Sequence, residues 1–286
     1  MIGIVIQSLI TLIESEEAMA VDFEFKDRYT TDDLISIVKV LRAPGGCPWD
    51  REQTHESIKK NFIEETYEII EAINKNNPDM LREELGDVLL QVALHAEMER
   101  EKGVFDFDDI ANDIVQKLVY RHPHVFGNVR AENGEEALDS WNAAKAASKK
   151  QTTQSESMLS IPRELPALMR AQKIQHKAAK VGFDWESVDG AIDKLYEEIN
   201  ELKKAMSDGG SSDIEEEFGD ILFSCVNISR FLKLDSEEAL TKASDKFLER
   251  FTEVERLAKE RGIEMKSSSL EELDKLWDEA KKIKNS

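Results

Sequence analysis

Apolar residues along most of this chain return every three or four positions, the period of an amphipathic helix, and no useful stretch alternates at the period of two that a strand requires. Thr31-Asp32-Asp33 offers an N-cap ahead of Leu34, Ile37, Val38 and Leu41, and Pro44-Gly45-Gly46 ends that first helix. Further helices are expected at 54–75, from Pro78 to Lys102 with Gly103 as the stop, and at 107–121 before Pro123. Residues 142–160 are polar, rich in Ser, Thr and Gln, and read as a flexible linker. Helical periodicity then restarts at about 164–180, 188–207, 212–233, 236–261 and 269–283, with breaks at Gly182, Gly209-Gly210 and Gly262. The expected fold is all-α: an N-terminal extension (1–30), a first four-helix-type module (31–141), the linker (142–160) and a second, related module (161–286).

Two of these helices carry carboxylates in a set pattern. In the first, Leu195, Ile199, Leu202 and Met206 form an apolar stripe, Glu198 and Glu201 lie along its edge, and Glu197 points to solvent. In the next, Ile214, Phe218, Ile221 and Cys225 make the stripe, Glu217 and Asp220 lie along its edge, and Glu216 points away. Antiparallel pairing through the stripes brings the four edge carboxylates together, which is unfavourable unless a cation neutralises them. Oxygen ligands without His or Cys suit a hard ion such as Mg²⁺, with Mn²⁺ as its substitute. A solvated, Glu-rich helix face is the competing reading. It is weakened by repetition, because Glu64 and Glu83 recur as Glu197 and Glu216, each 133 residues later, so that Glu65, Glu68, Glu84 and Asp87 form a second set without a gap.

Composition narrows the partners. A chain of 286 residues is long enough for two domains with real cores. A net charge of −21 and a pI near 4.7 argue against nucleic acid, whose phosphates such a surface repels. A small polyphosphate remains compatible, since it meets the local field of a bound cation and a few Lys or Arg residues. The two cysteines, Cys47 and Cys225, lack C-x-x-C partners and fit a reducing cytoplasm, Cys225 as a small core residue. The apolar run at the N-terminus has no preceding Lys or Arg and is too short to span a bilayer, so no membrane segment is expected. Met19 is expected to be the natural start, with residues 1–18 poorly ordered or a translation artefact.

The pattern E-E-x-x-E followed by E-x-x-D resembles the all-α nucleoside triphosphate pyrophosphohydrolases, and its tandem form is similar to the MazG family. The resemblance extends from Leu41 to Trp277 through G-C-P-W-D at 46–50, R-H-P-H-V-F at 121–126, L-P-A-L-M-R-A-Q-K-I-Q at 165–175 and V-G-F-D-W at 181–185. It implies Mg²⁺-dependent hydrolysis of a nucleoside triphosphate to the monophosphate and pyrophosphate, a homodimer, and the second module as the main catalytic one. Glu198, Glu201, Glu217 and Asp220 would then hold the metal.

Other positions fit a nucleotide. Lys246 and Arg250 share a helix face, as do Lys117 and Arg121 in the first module, and both pairs suit contact with a phosphate tail. Trp277 and Trp141 follow these basic helices, each either a stacking platform for a base or a core plug. Lys194 lies four residues before Glu198 and would clamp phosphate, whereas the equivalent position in the first module is Asn61, with Lys60 rotated about 100° round the helix. His95, His122 and His124 lack metal-ligand spacing and are expected to be structural. Two rivals stand beside the hydrolase. A ferritin-like di-iron protein would bring E-x-x-H motifs, of which only Glu52 to His55 occurs, outside both carboxylate sets. A non-catalytic helical scaffold would show no Mg²⁺-dependent pyrophosphate release.

Overall fold

A computed structural model describes residues 23–149 and 153–284. The expectation that Met19 is the natural start falls outside the described residues. The chain divides into two compact units, Met1–Ser148 and Lys149–Ser286. All regular structure among the described residues is helical, and no described helix is long and apolar enough to cross a membrane.

The first unit contains α1 (Thr31–Arg42), α2 (Pro48–Glu52), α3 (Lys59–Asn74), α4 (Pro78–Glu101), α5 (Phe107–Arg121), α6 (Pro123–Phe126) and α7 (Gly134–Lys149). Helix α1 is capped one residue earlier than the sequence suggests: the Thr30 hydroxyl accepts from Asp33 N–H while Asp33 caps Thr30 N–H in return. Helix α3 begins at Lys59 rather than 54, because Thr54 and Ser57 use their hydroxyls to cap each other's backbone N–H in a local turn. The core of this unit is Val38, Ile58, Ala93, Leu94 and Met98, with Leu34, Leu90 and Phe107 packed against it.

The second unit contains α8 (Gln154–Leu159), α9 (Ala167–Ala179), α10 (Val188–Asp208), α11 (Ser211–Phe231), α12 (Ser236–Glu260) and α13 (Leu270–Lys284). Helices α10 and α11 make the most extensive helix–helix contact, and α3 with α4 is its counterpart in the first unit. Each pair is a hairpin closed by one left-handed residue, Gly209 (φ 81°) in the second unit and Asn76 (φ 50°) at the equivalent place in the first. Helices α12 and α13 pack through Val254, Leu257, Ala258, Leu276 and Ala280.

The described residues of the expected linker, 142–149 and 153–160, include helical turns on either side of residues 150–152. Its start is the end of α7, whose first turn is capped by Asn133 accepting from Glu136 N–H. Its last part is α8, set by a reciprocal capping box between Thr153 and Glu156. The expected apolar stripes are also rotated. The buried line on α10 is Ala191, Glu198 and Ala205, seven residues apart, and Met206 is exposed. On α11, Ser224, Val226 and Asn227 are buried whereas Phe218 and Cys225 are exposed, so Cys225 is not a core residue in the single chain. Small side chains on the seam let the two helices approach, and the bulky apolar residues are left on the outer faces. In the first unit Ile58 and Ala72 are buried with Glu65 half-buried between them, and Gln91 and Leu94 are buried on the facing helix.

Candidate active site

The carboxylates are contributed by both helices of each hairpin. On α10, Glu198 lies on the buried seam at 5% exposure, while Glu201, one turn on, is exposed. Glu217 enters from α11, half-buried, and oxygens of Glu198, Glu201 and Glu217 lie within 4.8 Å of one another. Asp220 lies one turn beyond Glu217, exposed, near enough for its charge to act on Glu217 but outside that trio. In the first unit Glu65, Glu84 and Asp87 form the corresponding trio within 4.8 Å, with Glu68 outside it and hydrogen-bonded to Glu65.

The electrostatics are those of a site that wants positive charge. Glu217 is held above the ordinary carboxylate range first by burial and then by Glu198, Asp220 and Glu216. Glu201 is raised by its hydrogen bond to Glu198, by burial, and by the charges of Glu198 and Glu217. Burial followed by carboxylate repulsion likewise raises Glu65 and Glu84. An all-oxygen donor set of mutually repelling carboxylates fits a hard divalent cation, since such an ion replaces the shared protons and removes the repulsion.

Lys194 is half-buried and already engaged, with Nζ 2.8 Å from Glu197 and 2.8 Å from Glu198. Both carboxylates raise its pKa. Glu197 is exposed, as the helix wheel predicts, and its carboxylate still reaches this ammonium. Lys246 and Arg250 are on α12, and neither is ion-paired with a member of the trio among the described residues. Arg250 instead lies 5.9 Å from the ring centre of Trp277, and Phe247 packs against the same indole at 5.0 Å. The first unit repeats the motif, with the Arg121 guanidinium 5.4 Å and the Lys145 ammonium 4.6 Å from the Trp141 ring. Lys117 is exposed.

One cluster was not foreseen. His55 Nδ1 is 2.6 Å from His95 Nδ1, the rings stack at 4.9 Å, and the other His55 nitrogen meets Glu99 at 2.5 Å. Burial and the neighbouring His55 lower the His95 pKa. His55 of the E-x-x-H spacing thus pairs with His95 and Glu99 on α4, and the only sequence signal for the cluster is helix spacing, with Glu99 one turn beyond His95.

Comparison with known proteins gives the same two hairpins. The MazG nucleotide pyrophosphohydrolase domain matches residues 53–126 and again 186–254. The chain is 46% identical over 250 residues to the nucleoside triphosphate pyrophosphohydrolase/pyrophosphatase MazG of Thermotoga maritima, covering 87% of this chain and 95% of that protein. It is 47% identical over 256 residues to the nucleoside triphosphate pyrophosphohydrolase of Escherichia coli K12, covering 88% and 97%. The chain belongs to the MazG family. The first MazG match spans α3 to α6 and so takes in Glu65, Glu68, Glu84 and Asp87; the second spans α10, α11 and most of α12, with Lys194, the second carboxylate set, Lys246 and Arg250. Trp141 and Trp277 fall outside both MazG matches.

Proposed function

We propose that this MazG chain hydrolyses nucleoside and deoxynucleoside triphosphates, ATP among them, to the monophosphate and pyrophosphate, and that the α10–α11 site is the main catalytic one. The observation that carries this reading is the convergence of Glu198, Glu201 and Glu217 beside Lys194, with oxygens within 4.8 Å of one another. Glu198, Glu201, Glu217 and Asp220 would hold Mg²⁺, or Mn²⁺ in its place. When bound, such an ion supplies charge neutralisation along the triphosphate and acidifies water.

The chain's own residues do the rest. Lys194, Lys246 and Arg250 bind and orient the phosphate tail against the charge that builds on the leaving pyrophosphate. Water attacks the α-phosphorus, the bond to the bridging oxygen of the pyrophosphate breaks, and a carboxylate of the cluster accepts the proton of the attacking water. Trp277 stacks on the base. A pocket built on stacking and phosphate contacts discriminates weakly among bases, so base preference is broad.

The working form is proposed to be a cytoplasmic homodimer. The single chain leaves large apolar residues uncovered on its outer helix faces, including Phe218 and Leu222 on α11 and Phe247 and Leu248 on α12. Sedimentation of the purified chain should give twice the monomer mass. Release of pyrophosphate and monophosphate from a panel of NTPs and dNTPs tests the reaction, and the scaffold reading is favoured if no Mg²⁺-dependent release occurs.

A further inference from the structure

The two carboxylate sets differ in the cation that faces them. Lys194 lies one turn before Glu198 on α10, and its Nζ rests 2.8 Å from that most buried carboxylate. On α3 the residue one turn before Glu65 is Asn61, and Lys60 beside it is exposed and about 100° away round the helix. Among the described residues no Lys or Arg is ion-paired with Glu65, Glu68, Glu84 or Asp87, whereas Lys194 is ion-paired in the second set. The charged groups that act on Glu65 and Glu84 are all carboxylates.

An ammonium against the deepest ligand partly neutralises a site and repels an arriving dication. A site with the same oxygens and no such ammonium keeps its full attraction. We propose that in the absence of nucleotide the first site is a standing divalent-cation site tying α3 to α4, while Lys194 weakens the hold of the second site on free cations until a triphosphate draws the ammonium away. Free Mg²⁺ or Mn²⁺ therefore fills the first module first, and the second takes its cation tightly only together with the nucleotide. Position 61/194 then sets a division of labour between modules that share their carboxylates. The proposal rests on the reading of both sets as cation sites.

The test is a Mn²⁺ titration of the nucleotide-free full chain, followed by electron paramagnetic resonance of the free ion. Wild type is compared with Asn61→Lys, Lys194→Met and Glu217→Ala, with circular dichroism checking that each variant is folded. Wild type should show a tight class, unaffected by Glu217→Ala, and a second class weaker by about tenfold or more, taking one ion-pair-sized difference at close range. Lys194→Met should tighten the second class by about tenfold while Asn61→Lys weakens the first by a similar factor. Equal classes in wild type, or a second class unmoved in Lys194→Met, would overturn the proposal, and that variant decides the matter alone if Asn61→Lys fails to fold. Mg²⁺-dependent pyrophosphate release with two equal classes sinks this inference only. Unequal classes without release sink the enzymatic reading and leave this one standing.

Discussion

Replacing Trp277 by alanine separates its two roles, core support and base platform. The indole is half-buried and packs against the Val254, Leu257 and Leu276 cluster, against Phe247 at 5.0 Å and under Arg250 at 5.9 Å. Full burial of Trp costs roughly 3–5 kcal/mol on truncation, and half of that, about 2 kcal/mol, is expected here. For a module of this size that lowers the melting temperature by about 7 °C. A stacked base contributes roughly 1–3 kcal/mol, so kcat/KM should fall by about 5- to 150-fold, mainly through KM. Trp277→Phe should recover most of the loss. The assay is steady-state pyrophosphate release at a temperature where circular dichroism finds each variant folded. A folded Trp277→Ala protein with kcat/KM within twofold of wild type would show that the indole is a core plug and refute its role as a platform.

Other consequences follow from the same geometry. Gly209→Ala forces a side chain into left-handed backbone and should cost about 1 kcal/mol, whereas Asn76→Gly at the equivalent turn should be neutral or slightly stabilising; paired melts compare them. The carboxyls of Glu65, Glu84, Glu201 and Glu217 are raised by burial and by one another, so the native state holds protons that the unfolded chain has released. Their contribution to stability is present below the ordinary carboxylate value and is lost as pH rises through the raised values. Mg²⁺ reverses this, and the melting-temperature gain on adding it should shrink as pH falls through that range; a gain independent of pH would contradict the assignment. Arg250→Ala should lower kcat/KM with a larger effect on triphosphate than on monophosphate binding, measured by competitive inhibition.

The hairpins and the carboxylate repeat were legible because helical periodicity and a fixed 133-residue offset need no tertiary information. Which residue lies deepest was not. Ala191 and Ala205 are weak signals in a hydrophobic stripe, yet their size lets α10 and α11 close on a seam centred at Glu198, and Phe218 and Cys225 swing outward. The helices within 142–160 were hidden by polar composition, although Thr153 with Glu156 is a capping-box spacing that announces α8. Partner choice among charges is out of reach as well: the helix wheel places Lys194 one turn before Glu198, and only the fold shows its ammonium shared by Glu197 and Glu198.

The most direct test of the account is product analysis of a triphosphate hydrolysed in ¹⁸O-labelled water with Mg²⁺, by wild type and by Glu217→Ala and Glu84→Ala variants. The account predicts pyrophosphate and a monophosphate carrying the label, with turnover reduced by about a thousandfold or more in Glu217→Ala, as loss of a ligand at the reacting centre implies, and much less in Glu84→Ala. Label in the pyrophosphate would contradict attack at the α-phosphorus, and unchanged turnover in a folded Glu217→Ala protein would contradict the site.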